Sequence, residues 1–272
     1  MTNKEYTWAK AKAKDWKNYL PPTRPSISEL AVIEEYFVDL VKSNPRKKYT
    51  LAILGCTVEF RSLVHKYGME VTIIDFSKLH FEILSEQFMT YKGEEKFLEM
   101  DWRKMKSGIK FDFILGDLVV NMLDNENREL MLKNIHNMLA ENGLAILRSW
   151  IEPKEKLLNF ESVLKFVRKK YPNVNFYTST AGYVYPAYIN NSEFGDVGKL
   201  KNDLEDLKKK KLITSAEYNY WRDRLKYEIK GVAVPKLKVL NKQFSKYFKI
   251  KKMKQGVDIF SDIYKIHFLK KK

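Results

Sequence analysis

Residues Leu51 to Ser77 constrain this chain more than any other stretch. LAILGCTVEF is a short apolar run that reaches Gly55, RSLVHKYGME places Leu63 and Val64 on one helical face, and VTIIDFS is a second apolar run, Val71 to Ile74, closed by Asp75. A strand, a tight turn, a helix and a second strand ending in a carboxylate is the order of a parallel nucleotide-binding βαβ unit. Backbone N–H groups in the turn and at the helix start suit an anionic or polar group, and a carboxylate at the next strand tip can accept from both hydroxyls of a ribose. Gly55 and Asp75 stand 20 residues apart, the spacing of the ribose-carboxylate rule. The turn continues with Cys56, Thr57, Val58, Glu59 and Phe60, where a dinucleotide fingerprint has two more glycines. A pyrophosphate, which needs a bare and close backbone, is therefore disfavoured. Two readings follow: a nucleoside site, or an ordinary buried βαβ unit with an acidic turn.

The chain of 272 residues is long enough for one large domain or for a domain with a substantial insertion. No apolar run approaches the ~18 residues of a membrane span. The start, MTNKEYTWAKAKAK, lacks the apolar centre of a signal peptide, so a cytoplasmic location without membrane contact is the expectation. With one cysteine, Cys56, there is no internal disulfide and no cysteine-based zinc cluster, and a metal site is not expected. The net charge of +16 is uneven: residues 51–150 carry −3 and residues 201–272 carry +13. Such a basic region either grips phosphates or is a lysine-rich solvated surface; lysine rather than arginine favours the second.

In chain order, Tyr6, Trp8, Trp16 and Tyr19 among lysines predict an amphipathic helix over residues 1–20, broken by PPTRPS. Ser26 or Ser28 is placed to cap a second helix, with Glu29 and the periodic Leu30, Val32, Ile33, Tyr36, Phe37 and Leu40, stopped by Ser43-Asn44-Pro45. After Asp75 the pattern predicts a helix over Lys78 to Tyr91 and a strand over Lys96 to Met100 that leads into Asp101-Trp102. A strand from Phe111 to Leu115, a helix from Arg128 to Leu139 and a strand from Leu144 to Trp150 follow. Five strands alternating with helices make a doubly wound α/β sheet whose ligands sit beyond the carboxyl ends of its strands. Phe160 to Tyr171 reads as a helix, and Ala181 to Gly198 as an aromatic, turn-rich loop. Residues 199–230 read as two charged helices, with Thr214 and Glu217 spaced as a capping box. FKIKKM and IYKIHFL alternate as two closing strands around Gly256.

These strand tips together resemble the class I S-adenosylmethionine-dependent methyltransferases. The resemblance is carried by Leu54-Gly55-Cys56 for the glycine turn, Asp75-Phe76-Ser77 for the ribose carboxylate, Asp101-Trp102 for the adenine edge, and FDFILGD for the strand facing the reacting centre. MLAENGLAILR matches the helix, turn and fifth strand, with Glu141-Asn142-Gly143 where the family has Pro-Gly-Gly. It covers about residues 45–150 and the terminal hairpin that this family adds as strands six and seven. The sequence departs at Ile53, where the family has a carboxylate, and at Thr57 and Glu59, where it has glycines.

The resemblance implies a seven-stranded Rossmann-like sheet with N-terminal helices and a helical insertion before the terminal hairpin. The expected organisation is a helical lid at 1–45, a cofactor core at 46–178, a helical insertion or substrate lid at 179–245 and a hairpin at 246–272. It implies S-adenosylmethionine as cofactor and a small-molecule or peptide acceptor. The alternatives are an RNA acceptor held by the basic region and a binding protein without catalysis. Asp75 would take the ribose, with Gly55, Cys56, Phe76 and Ser77 around it, and Asp101 and Trp102 the adenine. Thr57 and Glu59 would meet the methionine end, with Arg24 reaching its carboxylate, and Asp117 would touch the cofactor and orient or deprotonate the acceptor. Competing structural roles are a strand-end acid for Asp75, a helix cap for Asp117 and a surface position for Arg24. Tyr183, Tyr185 and Tyr188 either line an acceptor pocket or pack, and His65, His80, His136 and His267 are expected to be packed or exposed. Oligomeric state is not legible.

Overall fold

The computed structural model describes residues 16, 19–45, 47–91, 93–106, 108–189, 193–226, 228 and 231–272. The helix expected over residues 1–20 falls almost wholly outside them. The chain divides into two compact units, Met1–Ser149 with Lys238–Lys272, and Trp150–Leu237.

The first unit is built on a sheet of β1 (Thr50–Leu54), β2 (Glu70–Asp75), β3 (Glu95–Glu99), β4 (Phe111–Asp117), β5 (Leu139–Trp150), β6 (Phe248–Lys254) and β7 (Tyr264–Lys271). Their order is β3-β2-β1-β4-β5-β7-β6. The first five run parallel, and β6 and β7 pair antiparallel. The expected seven-stranded α/β sheet is therefore what the chain forms. Its helices are α1 (Ile27–Ser43), α2 (Val58–Lys66), α3 (Lys78–Phe88) and α4 (Asn125–Met138), with α9 (Leu237–Tyr247) leading into β6.

Local chemistry fixes these elements. Ser26 accepts from the Glu29 N–H while the Glu29 carboxylate accepts from the Ser26 N–H, so α1 starts in a complete capping box. Ile33 and Phe37 of α1 are fully buried with Leu51, Ile53 and Phe113; burial of such side chains is worth about 1.5–3 kcal/mol each. Between Phe111–Leu139 and Phe113–Leu144 the β4–β5 register jumps, which places Ala140 to Gly143 as a bulge within β5. The Glu141-Asn142-Gly143 turn is that bulge.

The second unit is helical: α5 (Phe160–Lys170), α6 (Phe176–Ala181), α7 (Val197–Lys209) and α8 (Ser215–Leu225). Its core holds Phe160, Tyr185, Leu200, Leu204 and Trp221. Thr214 and Glu217 form the expected capping box at α8. No helix among the described residues is long and apolar enough to cross a membrane.

Candidate active site

Two strand tips meet at the first candidate cluster. Gly55, just past β1, has φ +87°, a conformation that side chains rarely adopt. Its N–H donates to the Ile74 carbonyl at 3.0 Å. A Cβ there would lie 3.9 Å from Asp75 Oδ2 and 3.7 Å from the Trp102 ring, so Gly55, Asp75 and Trp102 face one small space. Asp75 is buried, and its Oδ1 accepts from the Ser77 N–H at 2.9 Å. Burial pushes its carboxyl up to about 6, only partly offset by hydrogen bonds from Ser77 and from the Cys56 thiol. Burial likewise pushes the Cys56 thiol well up.

Around this pair, Ser77 caps α3 by accepting from the His80 N–H at 3.2 Å, and Phe76 is 44% exposed beside Asp75. Trp102 is half-buried and its indole N–H donates to the Ile74 carbonyl at 2.9 Å. Asp101 points elsewhere: it accepts from the Arg103 backbone and guanidinium at 2.9 Å, which lowers its carboxyl, and it is partly exposed.

The second cluster lies at the tips of β1, β4 and β5. Thr57 stands at the N-cap of α2 yet makes no side-chain cap bond there. Its hydroxyl turns to Asp117 Oδ2 at 3.4 Å. Glu59, in the first turn of α2, pairs with the Arg24 guanidinium at 2.6 Å, and burial pushes its carboxyl up against the pull of Arg24. Arg24 also donates to the Trp16 carbonyl at 3.4 Å and lies 5.7 Å from the centre of its ring. The Asp117 side chain is 6% exposed; burial raises its carboxyl against the lowering effect of Arg148, whose guanidinium donates to Oδ1 at 2.9 Å.

Arg148 is the centre of this second cluster. It is fully buried, donates to Glu29 Oε1 at 2.7 Å and to the Pro22 carbonyl at 2.7 Å, and lies 4.6 Å above the Tyr264 ring. Its rigid planar fork serves three acceptors at once from separate nitrogens, in directions that a compact ammonium does not span. The sequence motifs assign no site role to Arg148, and give Glu29 only a place at the start of a helix. The available signal was an arginine inside the apolar run LAILRSW, because arginine is almost never fully buried unless paired.

The backbone next to Asp117 is also specialised. A Cβ on Gly116 would come within 2.7 Å of Val119 and 2.9 Å of Leu147, and Leu118 adopts φ +53°. Bulk at Gly116 is thus excluded, and Leu118 turns the chain sharply after the Asp117 carboxylate.

The tyrosines of the 181–198 loop do not line an open pocket. Tyr183, Tyr185 and Tyr188 are all buried within the second unit. The Tyr188 hydroxyl accepts from the Phe160 N–H at 2.8 Å and donates to Asp203 at 2.7 Å, and the Tyr185 hydroxyl donates to Glu228 at 2.5 Å. His267 is buried too, and burial lowers its imidazole to about 4, which keeps it neutral.

No protein-family model matches the sequence, and no curated protein matches it. Solved structures do match in fold. The N-methyltransferase NodS of Bradyrhizobium japonicum WM9, in complex with S-adenosyl-L-homocysteine, is 11% identical, covers 99% of each chain and gives a TM-score of 0.53. Magnesium protoporphyrin IX methyltransferase (ChlM) of Synechocystis PCC 6803, with bound SAM, is 10% identical over 100% of this chain and 99% of its own, at a TM-score of 0.52. A protein of Rhodobacter sphaeroides described as a putative Zn-dependent alcohol dehydrogenase is 15% identical over 100% of both chains, at a TM-score of 0.60. The chain therefore has the Rossmann-like fold that S-adenosylmethionine-dependent methyltransferases share.

Proposed function

We propose that this chain is an S-adenosylmethionine-dependent methyltransferase acting on a small-molecule or peptide acceptor. The observation that carries the proposal is the buried Asp75 carboxylate at the tip of β2, facing a positive-φ Gly55 at the tip of β1. A carboxylate there suits the vicinal hydroxyls of a ribose, and the missing Cβ of Gly55 leaves them room. Two further features favour a single nucleoside over a dinucleotide. The sheet order places β7 where a dinucleotide-binding sheet continues with its sixth strand, and Thr57 and Glu59 occupy the positions of the second and third glycines.

S-adenosylmethionine, when bound, supplies a methyl group on a cationic sulfonium. The residues fit its two ends. Phe76 and Trp102 offer aromatic surface beside Asp75 for the adenine. The Glu59 and Asp117 side chains are 11% and 6% exposed and already pair with Arg24 and Arg148, so their surroundings suit a further polar or cationic group. The Thr57 hydroxyl, not used as a helix cap, is positioned for a polar contact at the methionine end. Arg24 neutralises Glu59 and presents a cation to the cofactor carboxylate. Arg148 holds Asp117 Oδ1, and Oδ2, which accepts only a long 3.4 Å bond from Thr57, orients an acceptor or takes its proton. In-line transfer needs such positioning and exclusion of water more than it needs a strong base.

Titration calorimetry with S-adenosylmethionine and S-adenosylhomocysteine tests the proposal. Both bind if it holds, and Asp75→Ala weakens them about 10- to 100-fold, the worth of a hydrogen bond to a charged group. Binding of neither ligand defeats the proposal, and an unchanged affinity in Asp75→Ala refutes the ribose assignment.

A further inference from the structure

We propose that Cys56, Asp75 and His80 form a zinc-binding site with three protein ligands and one open coordination position. The thiol sulfur, a carboxylate oxygen and an imidazole nitrogen of these residues all lie within 4.8 Å of one another. Ligands about 2.0–2.3 Å from a tetrahedral zinc ion stand roughly 3.5 Å apart, so a bound ion draws the set together by little more than ~1 Å. The donor types are selective. One sulfur, one nitrogen and one oxygen make a borderline-soft set that suits zinc and is wrong for magnesium or calcium, which take oxygen ligands. Three protein ligands match a site that keeps its fourth position for water or a small ligand, whereas structural zinc sites use four.

The ligands come from three elements that the sheet holds in place. Cys56 follows β1, Asp75 ends β2, and His80 lies in the first turn of α3. Ser77 donates its N–H to Asp75 and accepts the His80 backbone N–H on its hydroxyl, which ties the Asp75 carboxylate and the start of α3 to one residue. Cys56 and Asp75 are 4% and 5% exposed, and burial favours a proton on each. Zinc binding displaces those protons and leaves a thiolate and a carboxylate neutralised by the ion. The neighbouring cation, Arg61, does not compete for the site, because it is paired with Glu95. Counting cysteines in the sequence conceals such a site, since two of its three ligands are not cysteine.

Asp75 is also the residue assigned to the ribose. On that assignment, zinc and S-adenosylmethionine exclude one another, and zinc acts as an inhibitor of cofactor binding. The metal site itself does not depend on the methyltransferase reading.

The test uses the full chain, purified free of metal, with zinc chloride as the titrant in calorimetry and cobalt chloride as a spectroscopic probe. We expect one zinc ion per chain, weakened about tenfold or more by His80→Ala and by Cys56→Ser, and a thiolate-to-cobalt charge-transfer band that Cys56→Ser abolishes. Far-ultraviolet circular dichroism of His80→Gln, which keeps the side-chain volume, separates ligand loss from misfolding. Absence of stoichiometric binding, equal affinity in folded His80→Gln and Cys56→Ser, or a cobalt spectrum without the thiolate band overturns the site. Zinc that binds through these residues while S-adenosylmethionine binds unhindered supports the site and overturns the exclusion. Failure of S-adenosylmethionine to bind metal-free protein defeats the cofactor reading alone.

Discussion

Asp75 and Arg148 are both ionisable and both buried, yet they depend on pH and on substitution in opposite ways. The Asp75 carboxyl sits at about 6 rather than 3.8, so the folded chain holds a proton that the unfolded chain has lost between those values. Stability therefore falls as pH rises through this window, and the cost is fully present above it. Binding of S-adenosylmethionine should run the other way, because ribose hydroxyls donate to the ionised form. Its dissociation constant should rise about tenfold per pH unit below pH ~6 and level off above it. Calorimetry across pH 5 to 8 checks this, and a flat profile contradicts the ribose role. Arg148 instead stays charged through the folded range, because Asp117 and Glu29 outweigh its desolvation. Removing it strands two buried carboxylates, and Arg148→Met should cost about 3–5 kcal/mol in urea denaturation. Adding Glu29→Gln and Asp117→Asn to it should recover much of that loss, since no buried charge then lacks a partner.

Among the elements, the best-read are those whose ends carry their own signal. Ser26 with Glu29 and Thr214 with Glu217 announce α1 and α8 by spacing alone, and both capping boxes are present. Thr214→Ala should cost about 1 kcal/mol, read from the thermal midpoint. β6 illustrates a second use of sequence. It is the outer strand beside β7, and Lys249, Lys251, Lys252 and Lys254 are spread along it. Lysines on an outer strand discourage pairing with another chain, which accounts for part of the basic charge of residues 201–272. Replacing Lys249 and Lys251 by valine should produce concentration-dependent association in light scattering, and a monodisperse variant would remove this role. The β4–β5 bulge was half legible: Asn142-Gly143 marks a turn, but only the pairing shows that four residues leave the ladder and return to it.

For the molecule as a whole, any ligand that binds only the folded first unit must stabilise it. At 100 times its dissociation constant, S-adenosylmethionine should add about 2.7 kcal/mol, visible as an upward thermal shift that Asp75→Ala cuts to about 0.4–1.4 kcal/mol at the same ligand concentration. The alternation of apolar runs with helical periods was enough to determine the parallel βαβ order, because period and turn chemistry are local properties. It also located Gly55, Asp75 and Asp117 at strand ends, where the carboxyl edge of such a sheet receives ligands. The sequence by itself thus determined the sheet and its seven strands. Only the tertiary structure decided the partners. Arg148 joins Asp117 and Glu29 across 31 and 119 residues, Arg24 meets Glu59, Asp101 turns to Arg103, and Cys56 gains Asp75 and His80 as neighbours. These contacts depend on which strand lies beside which and on how far each side chain is buried. Neither quantity is written in local spacing, since a buried charge is set by what surrounds it in space rather than by what flanks it in the chain.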